Sequence, residues 1–184
     1  MLKVAITGNI ASGKSEVEKI VSQFYPVYDV DKIAHAILGN VDRKALGEKV
    51  FSNPKALKEL EEFIHPKVKQ EIMNVFNGIE TERNIAGLIA PSLNKNIIFI
   101  SIPLLFETGF EILFDKIIFV QCDDDLRLQR LIKRNNYTEE YAKKRMNSQL
   151  PQEDKIKKSD FVLNNNSSKE DLKAQVLELL KNLG

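Results

Sequence analysis

Residues 6–15 read ITGNIASGKS, and this stretch decides the fold of the 184-residue chain. Residues 8–15 match the pattern G-x-x-x-x-G-K-[ST] at every fixed position. An apolar run, Leu2–Ile6, precedes the stretch and a helical pattern begins at Lys14, so the loop joins a strand to a helix. Glycines let the backbone turn its amides inward, where they and the helix N-terminus favour phosphate. The alternative interpretation is a plain strand-to-helix turn.

The motif assigns a part to each position in binding a nucleoside triphosphate. Lys14 reaches the β- and γ-phosphates, and the Ser15 hydroxyl binds Mg²⁺. We expect Glu16, in the first helical turn, to point away from the phosphates. The predicted nucleotide-binding residues of this segment are Gly8, Asn9, Ile10, Ala11, Ser12, Gly13, Lys14, Ser15 and Glu16.

The composition narrows the class of protein. Hydrophobic residues make up 43% and charged residues 29%, which is ordinary for a soluble globular domain, and a net charge of +1 argues against a basic nucleic-acid-binding protein. Cys122 is the only cysteine, which excludes an intrachain disulfide and favours a reducing, cytoplasmic location. It ends an apolar run and is predicted to lie in the core. The apolar runs are too short to cross a bilayer, so no membrane partner is expected.

Apolar runs and helical patterns alternate along most of the chain. Predicted strands are Leu2–Thr7, Val27–Asp29, Ile97–Ile102, Lys116–Gln121 and Asp160–Leu163; predicted helices are Lys14–Phe24, Asp125–Asn135, Glu139–Gln149 and Lys169–Leu183. This alternation predicts an α/β fold of three layers, with a five-stranded parallel sheet between helices. Residues 32–94 break the alternation, because they are mostly helical and contain no convincing strand. They are predicted to form a helical insertion.

Two other kinds of phosphate-loop protein lack support, and one of them, a motor or helicase, would normally be larger than this chain. A switch GTPase would carry an Asp-x-x-Gly loop and an Asn/Thr-Lys-x-Asp motif, and the sequence has neither.

A small-molecule kinase needs an acid near the γ-phosphate. Asp29 and Asp31 follow the short run Tyr25–Tyr28, at the sheet edge where ligands bind in such folds. Either carboxylate could accept a proton from an attacking hydroxyl, or could cap the following helix.

A kinase of this kind also needs an arginine-bearing lid. Arg127, Arg130 and Arg134 follow the predicted strand Lys116–Gln121, and Arg145 comes later. Guanidinium groups clamp phosphates, although an exposed basic helix face is the alternative. No acid ends the run Ile97–Ile102. The magnesium ion would therefore rely on Ser15, phosphates and water, with an acid such as Asp31 nearby.

The full set of motifs resembles the dephospho-CoA kinase family. The matching segments are ITGNIASGKS, VYDVDKIAH, DRKAL, FIHPKV, IPLLFETGF, LQRLIKR, RMNSQ and KKSDFVLNNNS, and they extend along the whole chain. Members of this family transfer the γ-phosphate of ATP to the 3′-hydroxyl of dephospho-CoA. The resemblance implies a single kinase domain over residues 1–184, with a CoA-side insertion at about 32–94 and a lid at about 127–149.

The resemblance also implies a role for individual residues. Asp31 becomes the candidate general base and acts in catalysis with Lys14 and Arg134, while Arg130 and Asn165 join the nucleotide site. The implied acceptor-binding residues are Asp31, His35, His65, Pro103, Leu104, Glu107 and Arg145. Either histidine could equally cap or pack a helix, and residues 103–107 could be a strand-to-helix turn whose apolar side chains pack.

The implied ligands are ATP with Mg²⁺ and dephospho-CoA, bound by a monomer. The sequence departs from the family at three positions, because Asn9 and Ala11 replace glycines and Glu16 replaces threonine. Two other functions stay open. One is a kinase of the same architecture that acts on a nucleoside monophosphate or another small acceptor. The other is a nucleotide-binding regulatory module with little turnover.

Overall fold

A computed structural model describes residues 1–39, 53–90 and 96–183. Residues 40–52 and 91–94 of the predicted insertion lie outside these ranges, and with them the DRKAL motif at residues 42–46. The strands are β1 (Leu2–Thr7), β2 (Val27–Asp29), β3 (Leu88–Ala90), β4 (Ile97–Ser101), β5 (Lys116–Gln121) and β6 (Phe161–Asn164). The helices are α1 (Lys14–Val21), α2 (Val30–Leu38), α3 (Pro54–Phe76), α4 (Glu82–Gly87), α5 (Asp124–Asn135), α6 (Glu139–Asn147), α7 (Gln152–Ile156) and α8 (Lys169–Leu183), with a 3₁₀ helix at Phe110–Leu113.

The six strands form one sheet in the order β3-β2-β4-β1-β5-β6. Strand β1 is parallel to β4 and β5, and β5 is parallel to β6. Residues Val4, Ala5 and Ile6 are fully buried, which explains why β1 reads as one continuous apolar run. The predicted α/β fold is confirmed. The predicted count of five strands is wrong, because Leu88–Ala90 adds a sixth strand where only helix was expected.

By its contacts the chain divides into two compact units, one of Met1–Tyr28 with Ile89–Gly184 and one of Asp29–Leu88. In the first unit, α1 and α8 pack on the sheet. The buried side chains of this core include Val17, Val21, Phe99, Val120, Leu163, Leu172 and Val176. Burial of such a side chain contributes about 1.5–3 kcal/mol, so this layer fixes the sheet edge from which the phosphate loop emerges.

The described residues of the second unit form α2, α3 and α4. Helix α4 begins at a reciprocal cap, in which the Thr81 hydroxyl accepts from the Asn84 amide and the Asn84 side chain accepts from the Thr81 amide. Glu71 of α3 is buried, accepts from the Thr81 hydroxyl at 2.6 Å and pairs with Arg83 at 3.5 Å. These contacts tie α3 to the start of α4.

Helix boundaries differ from the prediction mainly at C-termini. Helix α1 ends at Val21 rather than Phe24, and α6 ends at Asn147 rather than Gln149. Helix α7, of five residues, was not predicted. Within the described ranges, each helix falls short of the length and apolar character that a membrane span requires.

Candidate active site

The loop between β1 and α1 needs glycine at both fixed positions. A Cβ atom on Gly8 would lie 2.6 Å from the Ser12 Oγ and 2.8 Å from the Val120 carbonyl oxygen. Gly13 has a φ of +95°, and a Cβ atom there would lie 1.9 Å from the Asn165 Nδ2. Any side chain at either position would therefore deform the loop.

The two departures at glycine positions have different consequences. Ala11 has a φ of +62°, the left-handed region in which a non-glycine residue costs about 1 kcal/mol or more. Asn9 uses its side chain, since its Nδ2 donates to the Leu150 carbonyl at 3.1 Å. The loop thus keeps a strained alanine and gains a polar contact that glycine could not make.

The start of α1 presents groups that fit a triphosphate. Its N-cap, Gly13, provides no side-chain hydrogen bond, so the first amides of the helix remain available to an anion. The Ser12 hydroxyl is buried against Gly8 and has no hydrogen-bond partner within the described residues. Ser15 is exposed in the first turn. The free amides fit phosphate oxygens, and the Ser15 hydroxyl is an oxygen ligand of the kind that a phosphate-bound magnesium ion takes.

Lys14 is held by a buried polar cluster. Its Nζ lies 2.6 Å from the Glu18 Oε1 and also donates to the Ser101 hydroxyl at the end of β4. The Ser101 hydroxyl donates to the same Glu18 oxygen at 2.5 Å, and Glu18 and Ser101 are 6% and 0% exposed. The sequence analysis missed Glu18. Its signal was a charged residue between two apolar positions of the buried helix face, Val17 and Val21.

The outer side of the loop is held by the segment after α6. The Ile10 amide donates to the Gln149 Oε1 at 2.7 Å. The Ile10 carbonyl accepts from the Arg127 Nη1 at 3.4 Å, and Arg127 also pairs with Asp124 at 2.7 Å. Arg127 is 3% exposed, so the alternative of an exposed basic face is wrong for this arginine.

Arg130 and Asn165 support the loop at Gly13. The Asn165 Nδ2 donates to the Ser12 carbonyl at 2.7 Å, and the Asn165 carbonyl accepts from the Arg130 Nη2 at 3.1 Å. The Arg130 Nη1 lies 3.2 Å from the Cys122 Sγ. Burial raises the pKa of the Cys122 thiol, and the side chain lies in the core as predicted. The structure therefore brings two of the predicted nucleotide-site residues against the phosphate loop.

Glu107 has a structural partner. Its Oε1 lies 2.6 Å from the Lys155 Nζ and accepts from the Leu150 amide at 3.1 Å. Lys155 is 1% exposed, and burial lowers the pKa of its ammonium group while the Glu107 hydrogen bond opposes that shift. Pro103 and Leu104 lie in the same turn, and Leu104 is exposed. Glu107 thus ties the turn after β4 to residues 150–155.

Three more of the predicted residues, Arg134, Arg145 and Glu16, lie on three different helices of the first unit. Arg134 is exposed near the end of α5, where its Nε donates to the Asn135 side chain at 2.8 Å, and Arg145 is half-buried in α6. Glu16 pairs with Lys19 and Lys169, and the Lys19 hydrogen bond lowers the pKa of the Glu16 carboxyl.

The second unit carries Asp31 and His35 on α2 and His65 on α3. The Asp29 side chain accepts from the Asp31 amide at 2.9 Å. The capping interpretation therefore holds for Asp29, whereas Asp31 is exposed in the first turn of α2.

Comparisons with known proteins agree with the motifs. The family model for dephospho-CoA kinases matches residues 36–171. The dephospho-CoA kinase of Geobacillus kaustophilus is 35% identical over 98% of this chain and 96% of its own, and that of Fusobacterium nucleatum is 38% identical over 92% of each.

Solved structures agree as well. The dephospho-CoA kinase from Campylobacter jejuni has a TM-score of 0.68 at 31% identity, and the alignment covers 98% of this chain and 96% of that one. A shikimate kinase from Aquifex aeolicus, with a TM-score of 0.58, 15% identity and coverage of 98% and 97%, shares the fold alone. The resemblance seen in the motifs is confirmed, and the chain belongs to the dephospho-CoA kinase family.

Proposed function

We propose that this chain binds ATP and Mg²⁺ at residues 8–15 and transfers the γ-phosphate to the 3′-hydroxyl of dephospho-CoA with Asp31 as general base. Its family makes the chain an ATP-dependent kinase of the last step of coenzyme A synthesis. What is proposed beyond the family is the part that each residue plays. The observation that carries the proposal is the uncapped, glycine-built start of α1 beside Lys14.

On the nucleotide side, the amides of the loop and of the first helical turn bind the phosphate oxygens. Lys14 moves from its carboxylate partner to the β- and γ-phosphates, where its charge is opposite to that of the ligand. Ser15 would hold the magnesium ion, which neutralises phosphate charge when bound. Asn165 holds the loop next to Gly13 through the Ser12 carbonyl, and Arg130 holds Asn165 in turn through the Asn165 carbonyl.

On the acceptor side, Asp31 orients the ribose 3′-hydroxyl and takes its proton as the oxygen attacks the γ-phosphorus. Helix α2 suits this role, because Asp29 fills the capping position and Asp31 follows in the exposed first turn. His35 and His65, together with Pro103, Leu104, Glu107 and Arg145, would bind the rest of the acceptor. These assignments rest on the family resemblance.

Arg134 would stabilise the charge that develops on the transferring group, as part of a lid over residues 127–149. Closure of a lid excludes water, which would otherwise hydrolyse ATP without an acceptor. Within this segment, α5 ends before Asn136, which has a φ of +56°, and α6 begins at Glu139. The residues between the two helices are therefore the place where the lid is expected to bend.

The test is to incubate the protein with ATP and Mg²⁺ and a panel of acceptors, and to follow ADP formation. Among the acceptors, we expect only dephospho-CoA to give rapid ADP formation. A comparable rate of ADP formation with a nucleoside monophosphate would favour the alternative, a kinase of the same architecture that acts on that acceptor. Tight ATP binding without turnover on any acceptor would favour a regulatory module. Lys14→Ala is the control, because it removes the phosphate-facing charge and is expected to abolish the ADP signal.

A further inference from the structure

The end of β4 lacks an acid, although the nucleotide site needs one. Phosphate-loop proteins hold magnesium with a loop hydroxyl and a carboxylate that follows a neighbouring strand. Strand β4 is the parallel neighbour of β1, and it ends at Ser101 rather than at an acid. A carboxylate is nevertheless present at this strand end, because the Glu18 side chain of α1 accepts from the Ser101 hydroxyl.

We propose that Glu18 is the acid of the nucleotide site, pairing with Lys14 when no nucleotide is bound and with the hydrated magnesium ion once Lys14 has turned to the phosphates. The proposal rests on the nucleotide site proposed above. It makes Glu18 a positioning residue, because it acts through a cation and not on the reacting atoms.

Charge balance supports this exchange. Glu18 is 6% exposed, and a carboxylate buried to this extent needs a nearby cation. Lys14 supplies that cation in the structure, 2.6 Å away. If Lys14 left for the phosphates with nothing in its place, the carboxylate would lose its counter-ion beside a polyanion. A divalent cation bound by Ser15 and phosphate restores the balance.

Glu18 differs from the glutamates that form ion pairs at the surface. Glu16 pairs with Lys19 and Glu178 pairs with Lys181, and both of these pairs face solvent. Glu18 instead contacts the loop lysine and a fully buried serine, across a sequence separation of 83 residues. This placement links α1, the loop and β4 at the point where nucleotide charge accumulates.

The exchange predicts that Glu18 couples ATP binding to Mg²⁺. Calorimetric titration of the full chain with ATP, once in Mg²⁺ and once in EDTA, measures the ATP affinity with Mg²⁺ divided by the ATP affinity without it. In Glu18→Gln this ratio is expected to fall about 10- to 100-fold, the usual effect of removing a partner of a metal's ligand shell. Without Mg²⁺, the variant is expected to bind ATP at least as tightly as the wild type, since Lys14 leaves no charged partner behind.

Glu178→Gln is the matched control, because it neutralises an exposed glutamate of another helix, and it is expected to keep the wild-type ratio. Adding Ser101→Asp to Glu18→Gln places a carboxylate at the strand end and is expected to restore the ratio. The double variant also carries the test if Glu18→Gln alone fails to fold, which circular dichroism would show.

Three outcomes overturn the proposal. An unchanged ratio in folded Glu18→Gln, while Lys14→Ala loses ATP binding, removes Glu18 and leaves the nucleotide site in place. A double variant that folds and binds ATP without regaining the ratio would show that a carboxylate at the end of β4 does not couple ATP to Mg²⁺, and it would overturn the placement of the acid there. Wild-type ATP affinity in Lys14→Ala would instead overturn the nucleotide site itself, and the role of Glu18 with it.

Discussion

At the scale of the residue, Asp31 carries the proposed general-base step. Asp31→Asn keeps the size of the side chain but cannot take a proton, so we expect turnover to fall about 10²- to 10⁴-fold with little change in ATP affinity. Steady-state rates with dephospho-CoA and calorimetric titration with ATP measure the two quantities separately. Asp29→Asn is the comparison, because asparagine caps a helix as well as aspartate does. A larger loss at position 29 than at position 31 would exchange the two roles.

Two neighbouring positions of the phosphate loop are expected to respond in opposite directions. Ala11→Gly relieves a left-handed alanine, and after allowance for the more flexible unfolded chain we expect a gain of about 0.5 kcal/mol in the free energy of unfolding. Gly13→Ala adds a Cβ atom against Asn165 at a φ of +95°, and a loss of at least about 2 kcal/mol is expected. Urea unfolding of both variants checks the pair. Equal effects would mean that the loop relaxes without needing either backbone angle.

At the scale of elements, an ion pair between Glu107 and the buried Lys155 joins the turn after β4 to α7. Glu107→Gln leaves the Lys155 ammonium buried without its carboxylate, and we expect a loss of about 3 kcal/mol in the free energy of unfolding. Combining Glu107→Gln with Lys155→Met removes the unpaired charge and is expected to recover most of that loss. Urea unfolding measures stability, and the KM for dephospho-CoA tests acceptor binding. A raised KM in the stable double variant would show that Glu107 also contacts the acceptor.

The helices and strands differ in how well they could be predicted from the sequence. Strand β1 and the start of α1 were predictable because complete burial gives an uninterrupted apolar run, and because the loop motif fixes the next residue as the helix start. Strand β3 has only three residues, and α7 has five, so neither is long enough to show a period. Lys155 lies 48 positions from Glu107 and Ser101 lies 83 positions from Glu18, and no local pattern encodes contacts at such a distance along the chain.

At the scale of the whole molecule, the reaction class was predictable and the assignment of its parts was less so. The phosphate loop fixes a nucleotide site, and motifs spread along the chain identify the family. Of the residues proposed for the nucleotide side, Asn165 donates to a loop carbonyl and Arg130 donates to the Asn165 carbonyl, so their proximity to the loop depends on the completed sheet. Asp31, His35 and His65, which are proposed for the acceptor side, belong to the second unit, where the family motifs VYDVDKIAH and FIHPKV place them but no general motif like the phosphate loop assigns their chemistry.

The division into two units leads to a prediction about where each substrate protects the backbone. Amides that donate to a ligand exchange more slowly with solvent, and so do amides whose local opening the ligand suppresses. ATP with Mg²⁺ is therefore expected to slow hydrogen exchange at residues 8–15, and Lys14→Ala is expected to lose that effect. Dephospho-CoA is expected to slow exchange within Asp29–Leu88, the helical unit that carries Asp31. Mass spectrometry of peptides from the full chain locates both effects. Protection by dephospho-CoA that excludes Asp29–Leu88 would deny this unit the acceptor and, with it, Asp31 the proton.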